Sequence, residues 1–370
     1  MKILIVRLSS LGDILHLFPA ISDLHRRFPG AEIHWLVEPA FAEVAGWHAA
    51  VAKVIPVPLR AHKKIWWKLP ALLRGLRRQL RAEQYDIVLD AQGLLKSALL
   101  ARLAGVEVFG FHADSAREPL AARLYRKTAK VPDGLHVIDK NRQLVARLFD
   151  TDISQPADFG LDKFRHRLMQ AALPEGITVQ PYIVLLHGTT WNSKYWPEAS
   201  WAELIALLAR QGVRCLLPWG NEDERLRAQR LQAAGGEYAQ VLPKLTLGEL
   251  MCVLLHARAF VSVESGIGHL AAALDIPGLM LHGPTDPGYS GILGKSCLHL
   301  TSGLDCSPCF KRDCPRLESA QGNPTCQVEI TAQQAFRHCQ LLLGVDPSFP
   351  LSRKGRGDCV CGYFEHIASI

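Results

Sequence analysis

Three short runs carry side chains able to do chemistry, and each directly follows an apolar run. Ser9-Ser10-Leu11-Gly12-Asp13 comes after KILIVRL. Its backbone amides suit an anion, as helix N-termini do, and Asp13 could take the proton of a substrate hydroxyl. The plainer reading makes Asp13 an electrostatic support for a helix start. Gly188-Thr189-Thr190-Trp191-Asn192-Ser193-Lys194 follows PYIVLLH. Hydroxyls beside a cation are the parts that stabilise a departing phosphate, although Ser, Thr and Gly also build ordinary turns. Val263-Glu264-Ser265-Gly266-Ile267-Gly268-His269 reads as strand, tight turn and helix start. Its glycines allow close backbone approach, and the helix N-terminus favours a pyrophosphate. His269 falls one turn into that helix; a structural histidine is the competing reading.

The same runs exclude other chemistries. The Ser9–Asp13 run is not GxGxxG and no Gly-x-Gly follows an early strand, which argues against a nicotinamide oxidoreductase; the Gly188–Lys194 run lacks the GxxxxGK[ST] spacing of a P-loop. Asp150-Thr151-Asp152 is the one Asp-x-Asp and lies in a linker-like stretch, so it reads as linker rather than a hard-cation site. Ten cysteines do not form a disulfide framework in a chain of this size, and Cys215, Cys252 and Cys297 read as buried thiols. Cys306, Cys309, Cys314 and Cys326 are grouped; zinc in a loop-rich knuckle is one reading, a reduced metal-free loop the other.

Strands and helices alternate, twice over, and must position these runs. KILIVRL, EIHWLVE, KVIPVP, YDIVLDAQG and VEVFGF read as strands separated by helical stretches, with one helix spanning DILHLFPAISDLHRRF. Residues 151–180 are Pro/Gly-punctuated and hold a short helix. The pattern then restarts with PYIVLLHG, VRCLLPWG, AFVSVES and GLMLHGP as strands. Two doubly wound α/β domains flanking a cleft are expected: 1–165, 166–346, and a tail 347–370. In such sheets ligands sit at the carboxyl ends of the strands, where the three runs fall.

Composition is ordinary and globular, 48% apolar and 21% charged. No window is apolar enough to span a membrane, and the start lacks a secretory leader pattern, so a cytoplasmic protein is expected. The balance is basic, 42 Lys+Arg against 35 Asp+Glu. From Val44 to Ala82 there is no acid, while Arg60, Lys63, Lys64, Lys68, Arg74, Arg77, Arg78 and Arg81 occur with Trp66 and Trp67 among them. A solvated basic helix face is the bland account; a phosphate-bearing ligand or an anionic membrane surface is the sharper one. No nucleic-acid-binding motif accompanies the patch.

Taken together, RLSSLGDILHLFPA, DAQGLLKSALLARLAG, SAREPLA, KYWPEASWAELI, LLPWG, VLPKLTL, VSVESGIGHLAAALD and HGPTDPG resemble, in order, the blocks of the ADP-heptose:lipopolysaccharide heptosyltransferases, most closely the heptosyltransferase I group. The likeness runs from Met1 to about Gly344. It implies a GT-B fold with an N-terminal acceptor domain and a C-terminal donor domain. The implied reaction is inverting, metal- and cofactor-independent transfer of L-glycero-D-manno-heptose from ADP-heptose to the Kdo (3-deoxy-D-manno-octulosonic acid) of Kdo2-lipid A. Its implied place is the inner face of the cytoplasmic membrane. By the same resemblance Asp13 is the base, and Thr189, Thr190 and Lys194 contact the diphosphate. Glu224 is the ribose-side acid, and Glu264, Ser265, Gly266 and His269 hold the donor. Ser10, Gly12, Arg60, Lys63, Lys64, Arg117 and Arg142 serve the acceptor. Glu264-Ser265-Gly266 stands where the family commonly has Asp-Thr-Gly. The cysteine loop looks more like that of heptosyltransferase II, which keeps a later core-sugar transferase as the alternative, with a silent membrane-surface protein as the remote one. A closing helix, Ala332–Leu343, is expected to pack back on the first domain.

Overall fold

The computed structural model describes residues 1–59, 67, 69–177, 180–318 and 322–344. Arg60, Lys63, Lys64, Trp66 and the tail 347–370 therefore lie outside the described residues. The first half contains β1 (Lys2–Val6), α1 (Leu11–Leu15), α2 (Phe18–Arg27), β2 (Glu32–Val37), α3 (Ala42–Ala45), β3 (Val51–Pro56), α4 (Leu69–Ala82), β4 (Ile87–Asp90), α5 (Leu95–Arg102), β5 (Val108–Phe111), a 3-10 helix (Pro119–Leu124), β6 (Lys127–Ala129) and α6 (Val137–Phe149). A bridging helix, α7 (Asp162–Met169), follows. The second half contains β7 (Tyr182–Leu186), α8 (Glu198–Arg210), β8 (Arg214–Leu217), α9 (Glu222–Gly235), β9 (Ala239–Val241), α10 (Leu247–Leu255), β10 (Ala259–Val263), α11 (Gly266–Ala273), β11 (Gly278–His282), α12 (Pro287–Ser290), β12 (Cys297–Thr301), α13 (Thr325–Glu329) and α14 (Ala332–Leu342).

Strands β1 to β12 form two six-stranded sheets, ordered β3-β2-β1-β4-β5-β6 and β12-β11-β10-β7-β8-β9, each parallel throughout, and a short antiparallel pair joins Leu317–Glu318 to Asn323–Pro324. Each is the doubly wound order, so β1/β4 and β7/β10 straddle the switch points where ligands bind. The inner strands are covered on both faces, which is why β7, β10 and β11 are buried along their whole length and read as unbroken apolar runs.

Several elements differ from the sequence expectation. The helix over DILHLFPAISDLHRRF is two helices, α1 and α2, because Pro19 has no N–H for the bond back to residue 15. FAEVAGWH supplies only α3. The thirteen-residue α6 was not expected: its buried face includes Asn141 and Arg142, which interrupt the apolar stripe. The edge strands β6, β9 and β12 are short or half-exposed and leave little pattern. A boundary at 165/166 falls inside α7, which packs on α10 and also stacks Phe164 on Trp47 of the first half at 4.0 Å. The closing helix α14 does exist, but it packs on α8 and on β10 to β12 of its own half, burying Ala335 and Cys339 there.

The two halves meet where α1 packs on α11. A Cβ on Gly266 would lie 2.9 Å from the Leu11 side chain, so the first residue of α11 must be glycine for this approach. A second link is His136, whose Nε2 lies 3.1 Å from the Gly291 carbonyl.

Candidate active site

Asp13 is the third residue of α1, and both of its oxygens are engaged. Oδ2 accepts from the Ser10 amide at 3.0 Å and the Ser10 hydroxyl at 3.2 Å, so the carboxylate does support its own helix start. Oδ1 accepts from two guanidiniums, Arg7 Nη2 at 2.7 Å and Arg117 Nη2 at 2.8 Å. Burial pushes the carboxyl upward, but Arg7, Arg117 and the Ser10 amide outweigh it and hold Asp13 well below the usual carboxylate range. The two cations differ: the Arg7 side chain is 5% exposed and also donates to the Ala91 carbonyl, whereas Arg117 is 51% exposed. Arg7 is a site residue that sequence reasoning passed over. Its signal was a guanidinium closing a buried strand, which needs a carboxylate nearby.

On the other half, the loop after β7 presents Lys194 to Glu264, and the two form a tight ion pair with side chains 11% and 12% exposed. Lys194 also stands 4.1 Å over the Trp191 ring. Desolvation opposes the Glu264 charge, but His269 and Lys194 bring its carboxyl down to about 2. Thr189 Oγ1 donates to the Glu264 carbonyl at 3.2 Å, tying the two loops together. Ser265 caps α11, its Oγ accepting from the Gly268 amide at 3.3 Å. Glu224 sits against the same loop, since a Cβ on Gly188 would lie 2.5 Å from its Oε1. Its other oxygen accepts from the Gly220 amide at 2.7 Å.

A chain of imidazoles joins the two carboxylates. His269 Nε2 lies 3.8 Å from Glu264 Oε1, and the His269 ring meets His16 edge-on with centroids 4.5 Å apart. His16 lies one turn beyond Asp13, and burial above all, with His269 next, holds its pKa well below the ordinary value. The Nε2 atoms of both His16 and His269 are buried without a hydrogen-bond partner.

The structure thus brings together Asp13, Ser10, Gly12 and Arg117 on one side and Thr189, Lys194, Glu264, Ser265, Gly266 and His269 on the other. Thr190 lies on the same loop, its carbonyl accepting from Arg312 at 3.3 Å. Arg142 is buried, its guanidinium already paired with Asp23 at 2.7 Å and with the Gln155 carbonyl at 2.7 Å, although it also lines a cavity with Asp139 and Gln143. The expected acceptor contacts Arg60, Lys63 and Lys64 lie outside the described residues. Asp90 is likewise internal, accepting from Tyr125 and Ser97 at 2.7 and 2.8 Å. Although burial, and then Cys314, Cys309 and Cys306 close by, push the Cys326 thiol up, among the described residues no group of three or more His, Cys, Asp or Glu side chains is placed to hold a metal ion. The cysteine loop instead backs the donor loop: the carbonyls of Arg312 and Lys311 accept from the Ser193 amide and hydroxyl, and Asp313 accepts from Asn192.

Residues 73–319 match the family described as glycosyltransferase family 9 (heptosyltransferase). The chain belongs to that family. It is 47% identical over 318 residues to lipopolysaccharide heptosyltransferase 1 of Pseudomonas aeruginosa, covering 85% of this chain and 87% of the relative. Among solved structures it is similar to E. coli heptosyltransferase WaaC with ADP, with a TM-score of 0.78 and 37% identity, covering 92% of this chain and 100% of that one. It is also similar to E. coli WaaC with ADP-2-deoxy-2-fluoro heptose, with a TM-score of 0.76, 37% identity and coverage of 92% of this chain and 99% of that one. The two-sheet α/β architecture is that of the GT-B heptosyltransferases, and this family 9 chain is a glycosyltransferase of lipopolysaccharide synthesis.

Proposed function

We propose that the chain transfers L-glycero-D-manno-heptose from ADP-heptose to the Kdo of Kdo2-lipid A, with inversion, without a metal, at the inner face of the cytoplasmic membrane. The observation that carries this reading is the meeting of a carboxylate, Asp13, with the Lys194–Glu264–His269 group across the α1/α11 seam. The donor is supported by the heptose-analogue complex of the E. coli relative. The first-heptose step is supported by the name of the P. aeruginosa relative.

The chemistry follows from the two ion pairs. The incoming diphosphate draws Lys194 from Glu264, and the amides at the start of α11 add further positive potential. The acceptor carboxylate draws Arg117 from Asp13 Oδ1, which removes one of the two charges suppressing its basicity. The acceptor hydroxyl oxygen then bonds to heptose C1 as the C1–O bond to the β-phosphate breaks. ADP leaves with the electron pair, and the hydroxyl proton passes to Asp13. One carboxylate suffices, because no glycosyl-enzyme forms.

ADP release with ADP-heptose tests this directly. Turnover is expected on Kdo2-lipid A, in the presence of chelator, with the anomeric configuration of the product inverted by NMR. Transfer only to an acceptor already carrying heptose would move the chain to a later core step, and loss of turnover on chelation would overturn metal independence.

A further inference from the structure

The first sheet has two helical layers, and they differ in charge. The layer made by α1, α2 and α6 mixes signs, with Asp13, Asp23 and Asp139 among its bases. The opposite layer is built by α4, α5 and the 3-10 helix, which bury Leu76, Leu80, Ala98, Leu100 and Ala121 in one apolar cluster over β1, β4 and β5. These three elements contain Arg74, Arg77, Arg78 and Arg81, Lys96 and Arg102, and Arg123, and not one Asp or Glu. All seven cations are exposed.

That same layer exposes large apolar side chains. Leu95 and Leu99, one turn apart on α5, are 38% and 53% exposed, and Leu120 on the adjoining 3-10 helix is 54% exposed. Trp67, two residues before α4, is 62% exposed. The segment joining them to the active site is short and fixed. The Glu118 amide donates to the Gly93 carbonyl at 2.9 Å, and the Glu118 carboxylate accepts from the Leu95 amide at 2.6 Å. The residue before Glu118 is Arg117, which touches Asp13. Only two residues, Glu118 and Pro119, therefore separate an exposed leucine from a guanidinium on the catalytic carboxylate.

We infer that the α4/α5/3-10 layer is the surface by which this protein docks on an anionic phospholipid bilayer. Exposed leucines alone would suit a second protein copy equally well. The excess of seven cations over the flanking Glu118 decides for a lipid surface, because two copies of this face would repel each other. Each arginine or lysine near an anionic membrane strengthens adsorption, and leucines at the headgroup boundary add apolar burial. Docking there places the Arg117–Asp13 lip at the bilayer, where a lipid acceptor presents its sugar while its acyl chains stay inserted. The inference rests on the acceptor being a membrane lipid, as proposed above.

The test uses the full chain and a Leu95→Ser/Leu99→Ser/Leu120→Ser variant, whose mutated side chains are exposed. A second variant, Arg77→Glu/Arg78→Glu/Lys96→Glu, reverses charge. Co-sedimentation is measured with phosphatidylcholine vesicles with and without 30% phosphatidylglycerol, across ionic strength. Wild type is expected to bind the anionic vesicles alone and to weaken with salt; the serine variant should bind about tenfold less and the charge-reversed variant more weakly still. With Kdo2-lipid A in vesicles both variants should show raised KM, and with a deacylated, water-soluble Kdo acceptor both should turn over like wild type. Unchanged partition of both variants would overturn the docking surface. So would equal binding to neutral vesicles, or a dimer that the serine substitutions convert to monomer. Partition is read without turnover, so failure to glycosylate either acceptor would strike the reaction assignment alone.

Discussion

Asp13 and Glu264 occupy matching places in the two halves. Each follows a central strand of its sheet, each is largely buried, and each is neutralised by cations, but the cations are of different kinds. Asp13 is clamped by one buried guanidinium that cannot leave and one exposed guanidinium that can. Glu264 is held by a single flexible ammonium braced over Trp191, with His269 behind it. The first arrangement keeps a carboxylate charged until an anionic ligand frees part of it. The second holds a cation where, on the reading proposed above, a diphosphate is neutralised. Their difference teaches that each half carries its own counter-ion, so that on that reading ligands exchange partners rather than create charge.

Removing Asp13 should break the first arrangement most completely. Asp13→Asn keeps the shape of the site but cannot accept the proton, and turnover should fall by about 10²–10⁴-fold. Affinity for ADP, measured by calorimetry, should change little, since Asp13 belongs to the other half. A variant with full turnover would eliminate the base assignment.

The buried Arg142–Asp23 pair offers the control. Arg142→Met leaves Asp23, a fully buried carboxylate, without its bidentate partner, though Arg26 still reaches it. Breaking such a pair costs about 3–5 kcal/mol, so thermal unfolding should move down by many degrees. The folded fraction should keep its turnover and acceptor KM. A selective rise in acceptor KM would restore Arg142 to the acceptor site.

The second arrangement is sharpened by Lys194→Met. A charge aimed at a departing phosphate contributes on the order of 10²–10³ in rate, and ADP affinity should drop as well. The variant also leaves Glu264 charged and largely buried. Lys194→Met/Glu264→Gln should therefore recover stability without recovering turnover. Recovery of turnover would mean that Lys194 serves only to neutralise Glu264.

Most of the architecture was legible because parallel strands covered on both faces are continuous apolar runs, and the three runs singled out after them converge at the seam between the halves. What was not legible depended on partners distant in sequence. Arg7 looked like an interruption in a strand until Asp13 and Ala91 closed around it. Arg142 carried no mark of its buried partner Asp23, 119 residues away, and the same burial disguised α6. The extent of α14 could be read from its periodicity, but its docking on α8 rather than on the first half depended on which surface lay open.

The seam between the two carboxylates adds a pH dependence of smaller size. His16 faces His269, His136, Asp13 and Arg7, and burial with its imidazole neighbours keeps it neutral in the closed fold. Its folded pKa lies below the unfolded value of about 6.5, so the unfolded chain takes up the proton first as pH falls. Stability present above pH 6.5 is therefore lost progressively below it. One such group contributes at most about 2 kcal/mol between pH 6.5 and 5. His48 and His187, both near 4, and His282, near 3, act in the same direction elsewhere in the core. Wild-type thermal unfolding should fall steadily from pH 7 to 5, and His16→Phe should flatten that slope by about one proton's worth while leaving the remainder. An unchanged slope would mean that His16 already escapes the seam when protonated, through the α1/α11 contact loosening before the fold does.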